Sequence, residues 1–470
     1  MKQSAQAEFE FQAYFKHRVT ANNQGGEQTS DGGSLLLRES LLGSALIPKL
    51  AKCFDDRRNQ DAVEHSLESM LSQRIAGLAL GYEDINDHEQ LRNDPVQALL
   101  ANKPGLGGDE PVALAGKSTL NRMELGADGG DGRYKQIVAR PGQVEALLIE
   151  EGVKAIPRKT REIVLDFDAT DDLVHGSQEG RFYNGYYRDY CYLPLYCFHG
   201  DIPLFAKLGK SDSDACEGTE DALAKIVPAI RKRFGRKVRI ILRADSGFAR
   251  ESIFSWCESH NIYYCVGLAK NARLAKELER HYEGMQGQME EGELQSPCRR
   301  FEQFQYQTRT SWSRARRVVG KAEILGEKKN SRFIVTNLPA EGFPGDEPGR
   351  FGPQALYQDF YCARGNMENR IKEQQLELFA DRTSTGQMKS NQLRLWFSAF
   401  AHLLMSLFRK KGLAGTDLEK ATVGTIRLKL FKVAARITIS TRRIHFELPS
   451  SYPYQSEFAA VWQNLRSGFV

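Results

Sequence analysis

The most telling absences in this 470-residue chain concern cysteine pairing, long apolar runs and, over one stretch, acidic residues. The eight cysteines form no CxxC pair and are dispersed through apolar or aromatic segments, which argues against a disulfide scaffold or a zinc ribbon and fits a reduced, cytoplasmic chain. The longest apolar run, residues 393–408, is shorter than the ~20 residues that span a bilayer, and it contains Arg394 and His402. It reads as a buried helix, and no membrane partner is expected. The first ten residues are polar and include Glu8 and Glu10, without the basic, apolar and small-residue order of a signal peptide. No internal repeat or low-complexity tract is visible. Gly116-Lys117-Ser118 imitates the end of a phosphate loop, but the earlier glycine that such a loop needs falls at Pro111 and no strand precedes it, so ATP use is not expected. Nor do His175 and His88 have a second histidine at ligand spacing.

Between Lys420 and His445 no acid occurs, while Lys420, Arg427, Lys429, Lys432, Arg436, Arg442 and Arg443 do. A net charge of +5 identifies no nucleic-acid binder by itself, but charges grouped on one face could track a phosphate backbone; a solvated basic surface explains them equally well.

The chain is too long for one hydrophobic core. Residues 1–155 read as a helical region, with apolar spacing of three and four over 34–54 and 63–80 after a short start around 9–19. The elements flanking Gly81 fit a helical hairpin or a helix-turn-helix, and 105–109 and 126–132 read as linkers. From residue 163 the pattern changes to strands over 163–169, 182–190, 192–199 and 203–208, a helix over 217–234, a strand over 238–244, a helix over 250–260 and a strand over 263–268. The predicted class is mixed α/β, a sheet with helices whose element order is that of an RNase H-like core over 156–268. Residues 269–353 read as a β-rich insertion, 354–411 as the second part of the core beginning with a long helix, and 412–470 as a helical, basic C-terminal region.

Three places carry chemistry. In the strand 163–169, alternation puts Asp166 and Asp168 on one face; carboxylates on a central strand either reach solvent or bind something positive, a hard divalent cation being the usual partner of clustered oxygens. Asp245 ends the next apolar strand, where sites lie in α/β sheets, although capping the following turn would suffice to explain it. On the helix from residue 355, Leu356, Phe360, Ala363, Met367 and Ile371 form an apolar stripe, and Tyr361, Arg364, Glu368 and Lys372 form a polar one beside it. Surface ion pairs would account for that stripe. Gly365 would not, because a mid-helix glycine costs ~1 kcal/mol against alanine unless another backbone, protein or nucleic acid, comes close.

The segments Asp168-Ala-Thr, Leu242-Arg-Ala-Asp245-Ser-Gly-Phe248 and Tyr361-Cys-Ala-Arg364-Gly-Asn-Met-Glu368 resemble the three carboxylate motifs of DDE transposases from bacterial insertion sequences. Similarity to the insertion-sequence thirteen-eighty group extends to Thr29-Ser-Asp-Gly-Gly33, Gly81-Tyr-Glu-Asp-Ile-Asn-Asp-His88, Asn184-Gly-Tyr-Tyr187 and Ala421-Thr-Val-Gly-Thr-Ile-Arg427, almost the whole chain. The resemblance implies that Asp168, with Asp166 as a nearby alternative, Asp245 and Glu368 are catalytic ligands of two Mg²⁺ or Mn²⁺ ions. It implies that Tyr361 and Arg364 contact DNA, the arginine holding a phosphate. The lysine expected seven residues after the glutamate is replaced by Gln375, leaving Lys372 as the substitute. Trp312, among Arg309, Arg314, Arg316 and Arg317, would stack on a flipped base or pack its own subdomain.

The implied function is cut-and-paste transposition: cleavage at inverted-repeat ends and strand transfer to target DNA, by a homodimer associated with the bacterial nucleoid. Two alternatives remain, an RNase H-like nuclease without strand transfer and a catalytically inactive, transposase-derived DNA-binding protein.

Overall fold

The structure, a computed structural model, describes residues 8–108, 112–126 and 136–467. Most of the 126–132 linker, the end of the 105–109 linker, Pro111 and most of the polar N-terminal decapeptide lie outside the described residues. The chain forms two compact units, one of residues 139–406 and one made from both termini, 1–138 with 407–470. The sequence suggested a boundary at 155. The unit boundary lies instead ahead of the helix Pro141–Ala155.

Residues 139–406 are built on an eight-stranded sheet in the order Ile202–Lys207, Leu195–His199, Glu162–Ala169, Arg239–Ala244, Tyr263–Leu268, Lys328–Thr336, Arg316–Leu325, Cys298–Tyr306. Counted along the chain, its first five strands stand 3-2-1-4-5. The second runs antiparallel to the first and third, while the fourth and fifth run parallel to the first. That is the topology of an RNase H-like core. Its central strands are covered on both faces, with Ile163, Leu165, Phe167, Ile240, Ile241 and Leu242 fully buried, as parallel strands must be when helices cross over them. The crossover helix Thr219–Phe234 buries Ala222, Leu223, Ile226 and Ile230 along one stripe.

Residues 298–336 add three antiparallel strands to the free edge of Tyr263–Leu268 rather than standing apart from the sheet. Gly326, at φ +60°, makes the two-residue turn between the last two of them, a left-handed conformation that glycine adopts at no steric cost.

In the unit made from both termini, the motifs read from the sequence meet around Asp31, which is fully buried. Its carboxylate accepts from Tyr82 Oη (2.6 Å) and Gln97 Nε2 (3.0 Å) and pairs with Lys432 (2.7 Å). Arg427 donates to the carbonyls of Leu78 and Ala79 at the end of the helix Leu67–Leu80. Two of the basic residues in the acid-free stretch therefore hold the unit together. The stretch also forms an antiparallel pair, Ala435–Ser440 with Arg443–Glu447, ahead of the helix Gln455–Ser467. After Gly81 come a 3₁₀ turn, Ile85–Asp87, and one short turn of helix, His88–Leu91, and the described residues begin with an exposed hairpin, Phe9–Tyr14 with His17–Ala21.

Candidate active site

The pairing of the first and fourth core strands fixes two of the three carboxylates. They run parallel with Arg243 opposite Asp166 and Ala244 opposite Phe167, so Asp245, the next residue, leaves its strand beside Asp168. The spacing Arg243-Ala-Asp245 mirrors Asp166-Phe-Asp168. The inner pair closes on itself: Arg243 Nε and Nη2 donate to the two oxygens of Asp166 at 2.5 and 2.8 Å, and Nη1 donates to the carbonyl of Phe360. Asp166, the alternative to Asp168 at the sequence level, is thus engaged through both oxygens in a buried ion pair that also ties the sheet to the glutamate helix.

The outer position is open. Asp168 Oδ2 accepts from Arg364 Nη1 at 3.0 Å, and Arg364 Nη2 donates to Glu368 Oε1 at 2.6 Å. One guanidinium therefore bridges a strand carboxylate and a helix carboxylate. Asp245 caps the turn Ser246–Phe248, its Oδ1 accepting from Gly247 N at 2.8 Å; among the described residues no other hydrogen bond engages its carboxylate. Burial first, and then the charges of Asp245 and Glu368, push the Asp168 carboxyl up to about 6, against the lowering influence of Arg364. Arg364 is held more firmly protonated by Asp168, Glu368 and Asp245 despite its own burial. Three carboxylates share one cation, a local excess of negative charge of the kind that divalent ions relieve. Among the described residues no three such groups are gathered into a ready-made ion cage. Arg364 occupies the space between two of them.

The polar stripe sits on a helix that is not a regular α-helix. Pro353–Ala355 leads into a π-helical segment over 356–361, a 3₁₀ turn over 362–364, the α-helix Gly365–Lys372 and a second π-helical segment over 373–377. Such wide turns inside helices recur at functional sites. The apolar stripe behaves as expected, with Leu356, Phe360, Met367 and Ile371 buried. Lys372 is exposed one turn beyond Glu368, and Gln375 donates to the carbonyl of Asp171 at 3.0 Å, so no cation takes the position where the resemblance expected lysine. A Cβ at Gly365 would meet no protein atom within 4 Å. Among the described residues no protein backbone accounts for that glycine. Cys362 is the exposed cysteine of the eight; the other seven are buried.

Sequence reasoning missed Gly267. It lies on the fifth strand, and a Cβ there would come within 2.6 Å of Tyr361 Oη, 2.8 Å of Ser246 N and 3.1 Å of the Asp245 carbonyl carbon. The strand must lack a side chain at that point for Tyr361 and the Asp245 turn to close over it. Burial raises the Tyr361 phenol to about 12. The signal was present as a glycine inside an apolar strand, which marks close backbone approach.

Trp312 is 6% exposed. Its ring meets Phe254 and Tyr306 edge-on at 5.6 and 5.7 Å, and Arg316 lies over it at 5.4 Å. In this conformation it packs the insertion against the core helix Glu251–Ser259 and offers no face to a base. A groove of about 650 Å³ between the helices Pro141–Ala155 and Thr219–Phe234 contains none of the carboxylate-site residues.

A protein family described as "Transposase DDE domain group 1" matches residues 11–468. No curated protein matches the sequence. Among solved structures, a piggyBac transposase synaptic complex with hairpin DNA is similar at 9% identity and a TM-score of 0.40, over 83% of this chain and 80% of that one. No helix among the described residues is long and apolar enough to cross a membrane.

Proposed function

From the premise that the chain belongs to the transposase DDE-domain family, in its group 1, we propose that it cleaves DNA at the ends of a mobile element and transfers the freed strands to target DNA, using Asp168, Asp245 and Glu368. The observation that carries the assignment is the convergence of Asp168 and Glu368 on one guanidinium beside Asp245, with Asp168 raised to about 6. Members of this family work with divalent metal ions, and the residues fit: an oxygen-only donor set, short of positive charge, suits Mg²⁺ or Mn²⁺. Two bound ions would activate water or a 3′-hydroxyl and stabilise the leaving oxygen in an in-line displacement.

The chain's own groups then divide the work. Asp168 and Asp245 stand at the ends of paired strands in the middle of a sheet, where packing holds their positions closely. Glu368 comes from an irregular helix and keeps nearly half its side chain exposed (47%), so it is the ligand free to adjust. Arg364 leaves the carboxylates when they are neutralised and turns its planar fork to a DNA phosphate, which fixes register without reading sequence. Tyr361 and Lys372 extend that contact along the helix. Two copies, one for each element end, complete the proposed assembly. Placement in the insertion-sequence thirteen-eighty group is part of this proposal.

The test uses the full chain with Glu368→Gln and terminal DNA in Mg²⁺. Binding is expected to persist while cleavage and strand transfer disappear. Cleavage at the wild-type rate by this variant overturns the assignment. Cleavage by the wild type with no transfer product from a pre-cut end favours the plain nuclease, and DNA binding without nicking in any divalent ion favours the inactive binding protein.

A further inference from the structure

We propose that the tyrosine-rich hairpin inserted between the first two core strands is a stacking platform for unpaired bases of the DNA end, beside the carboxylate site. The proposal rests on the transposase reading and adds a binding surface to it.

The chain leaves the first strand at Ala169 and makes the short strand Asp172–Leu173. It then builds the hairpin Phe182–Asn184 with Asp189–Tyr192 and enters the second strand at Leu195, where Tyr196 pairs with Asp168. The hairpin is therefore mounted at the end of the central strand that carries Asp168. Its half-buried Tyr187 feels the charges of Asp171 and Asp168.

Every exposed large aromatic of residues 139–406 lies here: Phe182, Tyr183, Tyr186 and Tyr190, with Tyr186 86% exposed. An exposed aromatic patch of this kind marks a binding surface. The patch is also held rigid. Asn184 Oδ1 accepts from the backbone N of Tyr186 and Tyr187 at 2.9 and 3.3 Å, and its Nδ2 donates to Ser211 O at 2.9 Å. Ser211 Oγ donates back to Phe182 O at 2.7 Å. Tyr183 and Tyr190 form a cross-strand pair with ring centres 5.7 Å apart, and Arg181 lies 4.6 Å over the Tyr190 ring. At the tip, Gly185 has no atom within 4 Å of a virtual Cβ, and exposed Arg188 follows Tyr187.

Three phenols and a phenyl ring with arginines around them, set on a rigid turn beside one exposed aliphatic side chain, Leu173, are the chemistry that binds bases by their faces without reading sequence. A phosphodiester positioned for cleavage beside Asp168 brings its neighbouring nucleotides to the hairpin. The buried Trp312 cannot offer them a ring, whereas the hairpin can.

The experiment uses the full chain and a duplex carrying a single-stranded dT overhang with 5-iododeoxyuridine at each position in turn, against a blunt duplex. Long-wave irradiation is expected to cross-link the overhang to the 182–190 peptide. Tyr183→Ala with Tyr186→Ala should weaken overhang binding by about tenfold, leaving blunt-duplex binding unchanged, and the Tyr→Phe pair should restore it. Should the double variant unfold, Tyr186→Ala alone, at the exposed tip, decides the matter. Cross-links mapping elsewhere, overhang affinity equal to wild type, or a change in oligomeric state in place of affinity each overturn the platform. Glu368→Gln in the same assay separates the two readings: if it cleaves at the wild-type rate, the carboxylate assignment fails whatever the hairpin does.

Discussion

Two clusters in residues 139–406 have the same parts, one arginine between two carboxylates, and opposite electrostatics. In the first, Arg316 is almost fully buried and donates to Glu251 at 2.7 Å and Glu258 at 2.9 Å. Burial pushes Glu251 up, but hydrogen bonds from Arg316, Ser313 and Ser255 more than offset it and bring the carboxyl down to about 2. Glu258 is lowered in the same way by Arg316, Arg314 and Tyr264. In the second, Arg364 serves Asp168 and Glu368 with Asp245 close by, and Asp168 is raised to about 6. The difference lies in the count of donors. Each carboxylate around Arg316 has several hydrogen-bond donors, whereas around Arg364 three acids divide one cation. A cluster whose charges are satisfied holds a fold together, and one left short of positive charge waits for a ligand.

The largest effect that would sharpen this contrast comes from Asp168→Asn. Cleavage should fall on the order of a thousandfold, the scale of losing several kcal/mol of charge stabilisation, while the fold becomes more stable at neutral pH. A carboxyl raised in the native state destabilises that state once ionised. The cost therefore grows as pH rises from about 4 through about 6, and is roughly 3 kcal/mol at neutrality. Guanidinium unfolding at pH 4.5 and 7.5 should show the variant's advantage at the higher pH only; equal stability at both breaks the comparison. Arg316→Leu should do the reverse, costing about 2–3 kcal/mol by removing the shared cation from two half-buried carboxylates that keep their other donors, with the cleavage rate per folded molecule unchanged. The Glu251 contribution has the opposite pH sense: a lowered carboxyl stabilises above its unfolded value and loses that stabilisation as pH falls toward 2. Gly267→Ala should have the smallest effect, about tenfold in cleavage through displacement of Tyr361 and the Asp245 turn, read by single-turnover kinetics. Full activity would mean that the close approach at Gly267 has no part in the chemistry.

The alternation of core elements and the acids at strand ends were legible because the core strands are short, apolar and bounded by turns. Residues 182–190, read as a core strand, instead form a hairpin in a separate three-stranded sheet, and the second and third core strands are Leu195–His199 and Ile202–Lys207. Alternation placed Asp166 and Asp168 on one face but could not say which was spent, since that depends on Arg243, 77 residues away in the chain and opposite only through parallel register. The same limit hid the attachment of residues 298–336 to the edge of Tyr263–Leu268, which is a long-range pairing with no local signature. The helix of Glu368 read correctly as amphipathic, but its π-helical turns leave no mark on a stripe counted at three and four. Trp312 stood among arginines in the sequence, and the fold spends Arg316 on burying it.

The exposed thiol of Cys362 has a practical consequence. The other seven cysteines are buried, so a maleimide dye or spin label would attach at one native position, between Tyr361 and Arg364, with no engineered mutation. Burial of its neighbourhood raises the thiol above its usual range, which calls for mildly alkaline labelling. The probe would then report directly when the helix meets cation or nucleic acid, turning an incidental side chain into a reporter of assembly.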